Sequence, residues 1–303
     1  MKQGFVKVAS ATPRIRVADP VYNAQVICEQ AKEAAEHGAK IVVFPELCIT
    51  GYTCNDLFLQ ELLLEKAKEA LLTIAEETGQ LETLFLVGLP VDKDGRLYNV
   101  AAVLYRGRIL GMIPKKNIPM YAEFYEGRHF TPGEETVTEY RLGKQVIPFG
   151  SNLLFRCEEL PELVLGCELC EDLWVAEPPS TSHALMGATV IANLSASNET
   201  VSKDDYRTLL IKASSARLLC GYIYTSAGEG ESTQDLVFGG HDLIAENGTL
   251  LVQSARFTTG ILYTDLDVLK ISSERRRMGT FGKRPMTVSY THLRAHETGA
   301  YLV

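Results

Sequence analysis

Cys170 closes an apolar run and stands directly against two carboxylates in Leu165-Gly-Cys-Glu-Leu-Cys-Glu-Asp-Leu-Trp174. Two other apolar runs also end in charge, Phe44-Pro-Glu46 and Ile113-Pro-Lys115. If all three are strand ends at one edge of a sheet, a thiol, a carboxylate and an ammonium converge there. That trio can split a carbon–nitrogen bond. The thiol attacks an amide carbonyl, the carboxylate takes the thiol proton and hands it to the leaving amine, and the ammonium stabilises the oxyanion.

Other chemistries compete for the same residues. Cys167 and Cys170 form a C-x-x-C pattern, the spacing of a redox pair or of half a zinc site. Zinc needs a second close pair, and Cys48 and Cys54 lack that spacing. A redox pair would open a helix after a domain's first strand, whereas this one ends a strand in mid-chain. Strand alternation puts Cys167 and Leu169 on one face and Glu168 and Cys170 on the other, so Cys167 reads as a small buried hydrophobe. Cys170, where a loop begins, reads as the exposed thiol. Histidine is the usual base for a cysteine, so His129, His183 and His241 keep a Cys–His arrangement open, although none lies at a clean strand end. Taken alone, Glu46 reads by default as a loop cap and Lys115 as an exposed turn lysine.

The elements that must position these residues alternate. Residues 4–9 read as a strand, and Asp19-Pro20 caps a helix with the stripe Val21, Ala24, Cys28, Ala31 and Ala35, ending at Gly38. Ala39 to Phe44 is a buried strand, Asp56 caps a second helix closing near Gly79, and Leu84 to Leu89 is a strand. Asp92-Lys-Asp-Gly95 and Arg106-Gly107 are hairpin turns. A long loop rich in aromatics then runs from Lys115 to about Gly143, a length that usually signals function. Strands at 163–169, 189–194 and 222–226 flank helices at 180–186 and 203–220, and Asp235 to Phe257 reads as a hairpin turning at Asn247-Gly248. Strands with interposed helices give a two-faced or double-sheet α/β sandwich.

The 303 residues are 46% hydrophobic and 22% charged, enough for one large α/β core and without any sign of bulk disorder. The net charge of −8 argues against a nucleic-acid partner, and the short run Arg275-Arg-Arg277 reads as a solvated face or interface edge. No secretory signal or membrane-length apolar run is visible. Seven scattered cysteines do not make a disulfide framework, so a reducing cytoplasm is expected.

Taken together, Phe44-Pro-Glu46, Pro114-Lys115 with Tyr121-x-Glu-Phe-Tyr-Glu126, and Cys170-Glu-Asp-Leu-Trp174 resemble the Glu-Lys-Cys signature of the nitrilase (carbon–nitrogen hydrolase) superfamily. Asn193-Leu-Ser-Ala-Ser197 and Ser226-Ala-Gly-Glu-Gly-Glu-Ser-Thr233 resemble the branch formed by the glutaminase domains of glutamine-dependent NAD synthetases. The likeness covers about residues 3–287. It implies a four-layer αββα sandwich in which Glu46, Lys115 and Cys170 are catalytic, hydrolysing glutamine through a thioester. It further implies that Glu126 supports Lys115 or the water, and that Tyr121 and Ser197 contact the α-amino and α-carboxylate groups of glutamine. Where arginine is expected a few residues after that serine the chain has Lys203, with Arg207 one turn beyond, so the cation that grips the carboxylate stays open. Glu229 and Glu231 are either turn carboxylates or shape the pocket.

The resemblance implies no cofactor for this domain. ATP and Mg belong to a synthetase domain whose Ser-Gly-Gly-x-Asp-Ser motif the sequence lacks. A homo-oligomer is implied. Residues 1–287 are expected to be the hydrolase domain, and 288–303, with SYTHLRAHETGAYLV, to be a non-native tail resembling translated adapter sequence. The alternatives are a free-standing amidase acting on another carboxamide, and a non-catalytic fragment.

Overall fold

The computed structural model describes residues 3–282 and 289–293. Alternating residues make β1 (Phe5–Thr12), after which the Asp19 carboxylate accepts the Tyr22 amide proton and Pro20 takes the first position of α1 (Pro20–Glu36). β2 (Ile41–Val43) follows, then α2 (Glu61–Glu77), β3 (Leu84–Lys93), β4 (Arg96–Tyr105) and β5 (Arg108–Pro114). Next come β6 (Thr138–Leu142), β7 (Gln145–Phe149), β8 (Leu153–Cys157) and β9 (Val164–Leu169). The remainder is α3 (Pro179–Leu185), β10 (Val190–Ser195), α4 (Lys203–Leu218), β11 (Gly221–Ser226), β12 (Leu243–Glu246), β13 (Thr249–Gln253), β14 (Gly260–Asp267), α5 (Val268–Arg277) and β15 (Ser289–Leu293).

Two sheets form, one of eight strands ordered β14-β1-β2-β3-β4-β5-β7-β6 and one of seven ordered β13-β12-β11-β10-β9-β8-β15. Their facing sides share one core, in which Val8, Val43, Leu86 and Val103 meet Leu165, Cys167, Leu194 and Ile223. The outer face of the first sheet packs on Ala24, Ile27 and Ala31 of α1 and Ala67, Leu71 and Ile74 of α2. That of the second packs on Ala184 of α3 and Ile211 and Leu218 of α4. Each sheet is thus apolar on both sides, which is why its strands read as continuous apolar runs. The result is the four-layer αββα sandwich that the family resemblance implies, one of the two arrangements left open by the strand and helix pattern.

The C-terminal ends of β2, β5, β9 and β10 reach one edge, so the parallel pairings β1–β2–β3 and β9–β10–β11 deliver Glu46, Lys115, Cys170 and Ala196 together. Several expectations need correction. Asp56 does not cap α2, whose cap is Gln60; it pairs instead with Arg128 and His129 across the loop. The loop after Lys115 stops at Thr138, because β6 and β7 pair around Gly143. The last hairpin is only β12–β13, turning at Asn247-Gly248 where both residues are left-handed. Arg275 is no solvated residue. It donates to the carbonyls of Leu218, Leu219 and Ala188, and burial lowers its pKa to about 10. Of residues 288–303, 289–293 form β15, parallel to β8 at the sheet edge, and the rest lie outside the described residues.

Candidate active site

Glu46 sits where β2 leaves the sheet. Pro45 stops the strand, Leu47 turns left-handed at φ 51°, and the loop folds back across Gly88. A Cβ on Gly88 would lie 2.3 Å from the Leu47 nitrogen, so only glycine permits this approach. Lys115 follows β5, its amide bonded at 2.8 Å to the Asn99 carbonyl, and its side chain points into the protein with no exposed surface. Its Nζ lies 2.7 Å from Glu46 Oε1 and 2.6 Å from Glu126 Oε1. Glu126 opens the short 3-10 turn Glu126–Arg128 and accepts the Tyr52 hydroxyl at 2.9 Å.

Cys170 stands at a sharp elbow, left-handed at φ 41°, a conformation that costs a non-glycine residue about 1–2 kcal/mol. Asp172 holds the elbow. Its Oδ2 accepts the Leu169 amide at 3.0 Å, and its Oδ1 accepts the Asn117 amide and side chain at 2.8 Å each. The same carboxylate therefore fastens the cysteine turn to the chain leaving Lys115. The thiol was expected to be exposed, but Cys170 is only 6% exposed and reaches solvent through a cavity.

Electrostatics follow from enclosing these charges. Burial, then the nearby Glu46 carboxylate, pushes the Cys170 thiol well above its ordinary range, while Lys115 and the Ala196 amide oppose the shift. Burial also raises Glu46 to about 7, against the pull of Lys115. Burial disfavours the Lys115 charge, but Glu126 and Glu46 outweigh it and hold the ammonium above its usual value. The resting site is thus a neutral thiol beside a carboxylate poised near neutrality and a fixed cation.

A cavity of about 480 Å³ opens over Cys170. Tyr121, Ser197 and Lys203 all line it, as do Glu123, Glu171 and Trp174. The Tyr121 hydroxyl donates to Glu171, with both carboxylate oxygens at 3.0 Å. Lys203 Nζ lies 5.2 Å and 5.6 Å from the Trp174 and Phe124 ring centres and donates to Asn198. Arg207 is fully buried instead, spent on Glu199 at 2.7 Å, the Asn198 carbonyl at 3.1 Å and the Ser197 hydroxyl at 3.3 Å. Of the two cations, Lys203 is the one that faces the cavity.

The histidines are engaged elsewhere. His183 bonds the Ser151 carbonyl behind the sheet, with its pKa lowered to about 4 by burial; His129 meets Asp56, and His241 meets Arg207. Cys167 faces the core between the sheets, away from the cavity. Glu229 pairs on the surface with Arg14, whereas buried Glu231 accepts the Tyr52 and Thr53 amides at 2.7 and 3.0 Å and so shapes the loop that carries Tyr52. Sequence reading misses Asn99, Tyr52, Asp172 and the Ala196 amide. Asp172 and Ala196 had a local signal, their places in the cysteine motif and in Asn193-Leu-Ser-Ala-Ser197, whereas Asn99 and Tyr52 had none.

Comparison with known proteins places this geometry among relatives. The carbon-nitrogen hydrolase family model matches residues 7–276. A glutamine-dependent NAD(+) synthetase of Mycobacterium tuberculosis is 44% identical over 282 residues, covering 92% of this chain and 42% of the relative. That of Thermotoga maritima is 32% identical, covering 97% and 48%. The chain thus spans less than half the length of these relatives. The crystal structure of a glutamine-dependent NAD(+) synthetase from Cytophaga hutchinsonii superposes with a TM-score of 0.78 at 28% identity, over 86% of this chain and 43% of that one. A nitrilase-superfamily amidase of Nesterenkonia shares the fold, with a TM-score of 0.70 at 21% identity over 91% and 96%.

Proposed function

Because the chain belongs to the carbon-nitrogen hydrolase family, we propose that it hydrolyses the side-chain amide of glutamine, as the glutaminase portion of a glutamine-dependent NAD(+) synthetase. The observation that carries this reading is the buried Glu46–Lys115–Glu126 cluster packed against Cys170 in the wall of a cavity of about 480 Å³.

In the proposed reaction Glu46 takes the Cys170 proton as sulfur attacks the glutamine carbonyl carbon. Two of the three Lys115 N–H groups are held by Glu46 and Glu126, which leaves the third for the oxyanion. Collapse breaks the carbon–nitrogen bond, and Glu46 returns the proton to the departing ammonia. Water then attacks the thioester, giving up its proton to Glu46, and glutamate leaves as the thiol is restored. Glutamine plus water gives glutamate plus ammonia. The α-amino group is assigned to Tyr121, and the α-carboxylate to Ser197 and Lys203.

In the whole protein the ammonia would pass to a synthetase domain that binds ATP and Mg and amidates deamido-NAD. The hydrolase half uses its own thiol, carboxylates and ammonium. A homo-oligomer is supported by exposed apolar side chains, Val201 and Tyr206 lining the cavity and Met120 and Tyr125 on the loop after Lys115. A cytoplasmic setting is supported by seven free cysteines, and no helix among the described residues is long and apolar enough to cross a membrane.

The test is peptide mass spectrometry after treatment with a glutamine-shaped electrophile. Labelling of Cys170 alone, blocked by glutamine, is expected. Labelling absent from a folded sample, or spread over several cysteines, overturns the assignment. Turnover of other carboxamides without glutamine would mark a free-standing amidase.

A further inference from the structure

Glu46 has two oxygens in unequal surroundings. Oε1 accepts Lys115 Nζ and Asn99 Nδ2, each at 2.7 Å, which uses both its lone-pair directions. Oε2 accepts the Ala196 amide at 2.9 Å, and that same amide bears on the Cys170 thiol. Asn99 Nδ2 also lies 3.3 Å from Glu126 Oε2, so one amide nitrogen bridges both carboxylates. Its Oδ1 is buried without a hydrogen-bond partner. Turning the amide over would set that oxygen against two carboxylates, so the charges impose the orientation despite the orphaned acceptor.

We infer that Asn99 is a positioning residue for the proposed reaction, occupying Glu46 Oε1 together with Lys115 so that Oε2 is the oxygen that takes the Cys170 proton. This rests on the Cys170 reading above. The groups facing Glu46 are Lys115 from β5, Glu126 from its 3-10 turn, Tyr52 from the loop after β2, Cys170 beyond β9 and the Ala196 amide beyond β10. Beside these, Asn99 from β4 is the neutral side chain whose hydrogen bond favours an ionised Glu46, so its loss should make Glu46 harder to ionise. Its backbone is held separately by the β3–β4 ladder and the Lys115 amide, so a side-chain change leaves the strand intact.

The experiment follows the rate of Cys170 alkylation by iodoacetamide against pH, read by peptide mass spectrometry, in wild type, Asn99→Ala and Asn99→Asp. Alanine should move the acid limb up by about one pH unit, a roughly tenfold slower reaction at pH 6 that recovers to within about threefold at pH 9. Asn99→Asp, equal in size, sets a third carboxyl group against Glu46 and Glu126, so it should move the limb further the same way, and it serves if the alanine variant does not fold. KM for glutamine should stay within about twofold while kcat falls. A limb left in place in a folded variant, with loss uniform across pH, would overturn the inference. Alkylation needs no substrate, so failure of wild type to hydrolyse glutamine would refute the substrate assignment without touching the result for Asn99.

Discussion

Replacing Gly88 with alanine should disable the site through one methyl group set against the backbone that carries Glu46. Gly88 lies in β3 without a positive φ, so its backbone suits alanine and the whole effect is steric. The new Cβ would lie 2.3 Å from the Leu47 nitrogen, 2.6 Å from the Pro45 oxygen and 2.8 Å from the Glu46 carbonyl carbon. All three are backbone atoms, which cannot rotate away as a side chain can. Restoring ordinary contact moves the Glu46 loop by roughly 1 Å, a misplacement that costs about 100-fold in rate. Overpacking should cost about 1–3 kcal/mol of stability. Gly111→Ala is the control, since its Cβ would meet only the outer atoms of Leu153 and Phe155, at 3.0 Å. The assay is kcat for ammonia release from glutamine, with urea unfolding to establish the folded fraction. A folded Gly88→Ala protein whose kcat stays within threefold of wild type would refute the claim that this glycine sets the position of Glu46.

Two further expectations concern the buried charges. Lys115→Met strands Glu46 and Glu126 without their cation, which should cost about 3–5 kcal/mol in denaturant unfolding, and adding Glu126→Gln should recover part of it; a loss below about 1 kcal/mol would show that the pair does not depend on the lysine. Burial raises Glu46, Glu168 and Asp242 each to about 7, above the unfolded values near 4. The folded protein therefore holds more protons between about pH 4 and 7, so these groups make stability fall as pH rises through that window. The melting temperature should be higher at pH 5.5 than at pH 8, while the proposed hydrolysis, with ionised Glu46 as its base, should run the other way. A melting temperature that climbs steadily from pH 5.5 to 8 would contradict this.

Much of the fold was legible because its strands are buried on both faces. Runs such as Ile41–Val43 and Val190–Ser195 leave no doubt about burial, and Asp19-Pro20 announces a helix start by local bonding alone. The parts that escaped are those with weak local patterns. β6 and β7 at the sheet edge expose alternate residues and read as loop, and β14 is half-exposed along most of its length. Asp56 looked like a cap because acids before helices usually are, yet its partners Arg128 and His129 arrive from a loop more than seventy residues away. Arg275 looked solvated because it stands in a run of three arginines, and only the packing of α5 reveals the carbonyls it meets.

The sequence by itself determined the reagents: a thiol, a glutamate and a lysine, each at the close of an apolar run, with a family signature that ties them together. Strand periodicity and strand ends are local properties, written within a few residues. What only the tertiary structure decided is how those reagents are tuned. The about 7 of Glu46 and the raised Cys170 thiol come from burial among the charges of Glu46, Lys115 and Glu126 and the amides of Asn99 and Ala196, all from separate segments. That Lys203 and not Arg207 faces the cavity turns on which cation already has a buried carboxylate. Asn99 carries no motif, and its role exists only because β4 runs beside β5 and beneath Glu126. Proton affinity depends on everything within a few ångströms, and the chain does not record those neighbours in order.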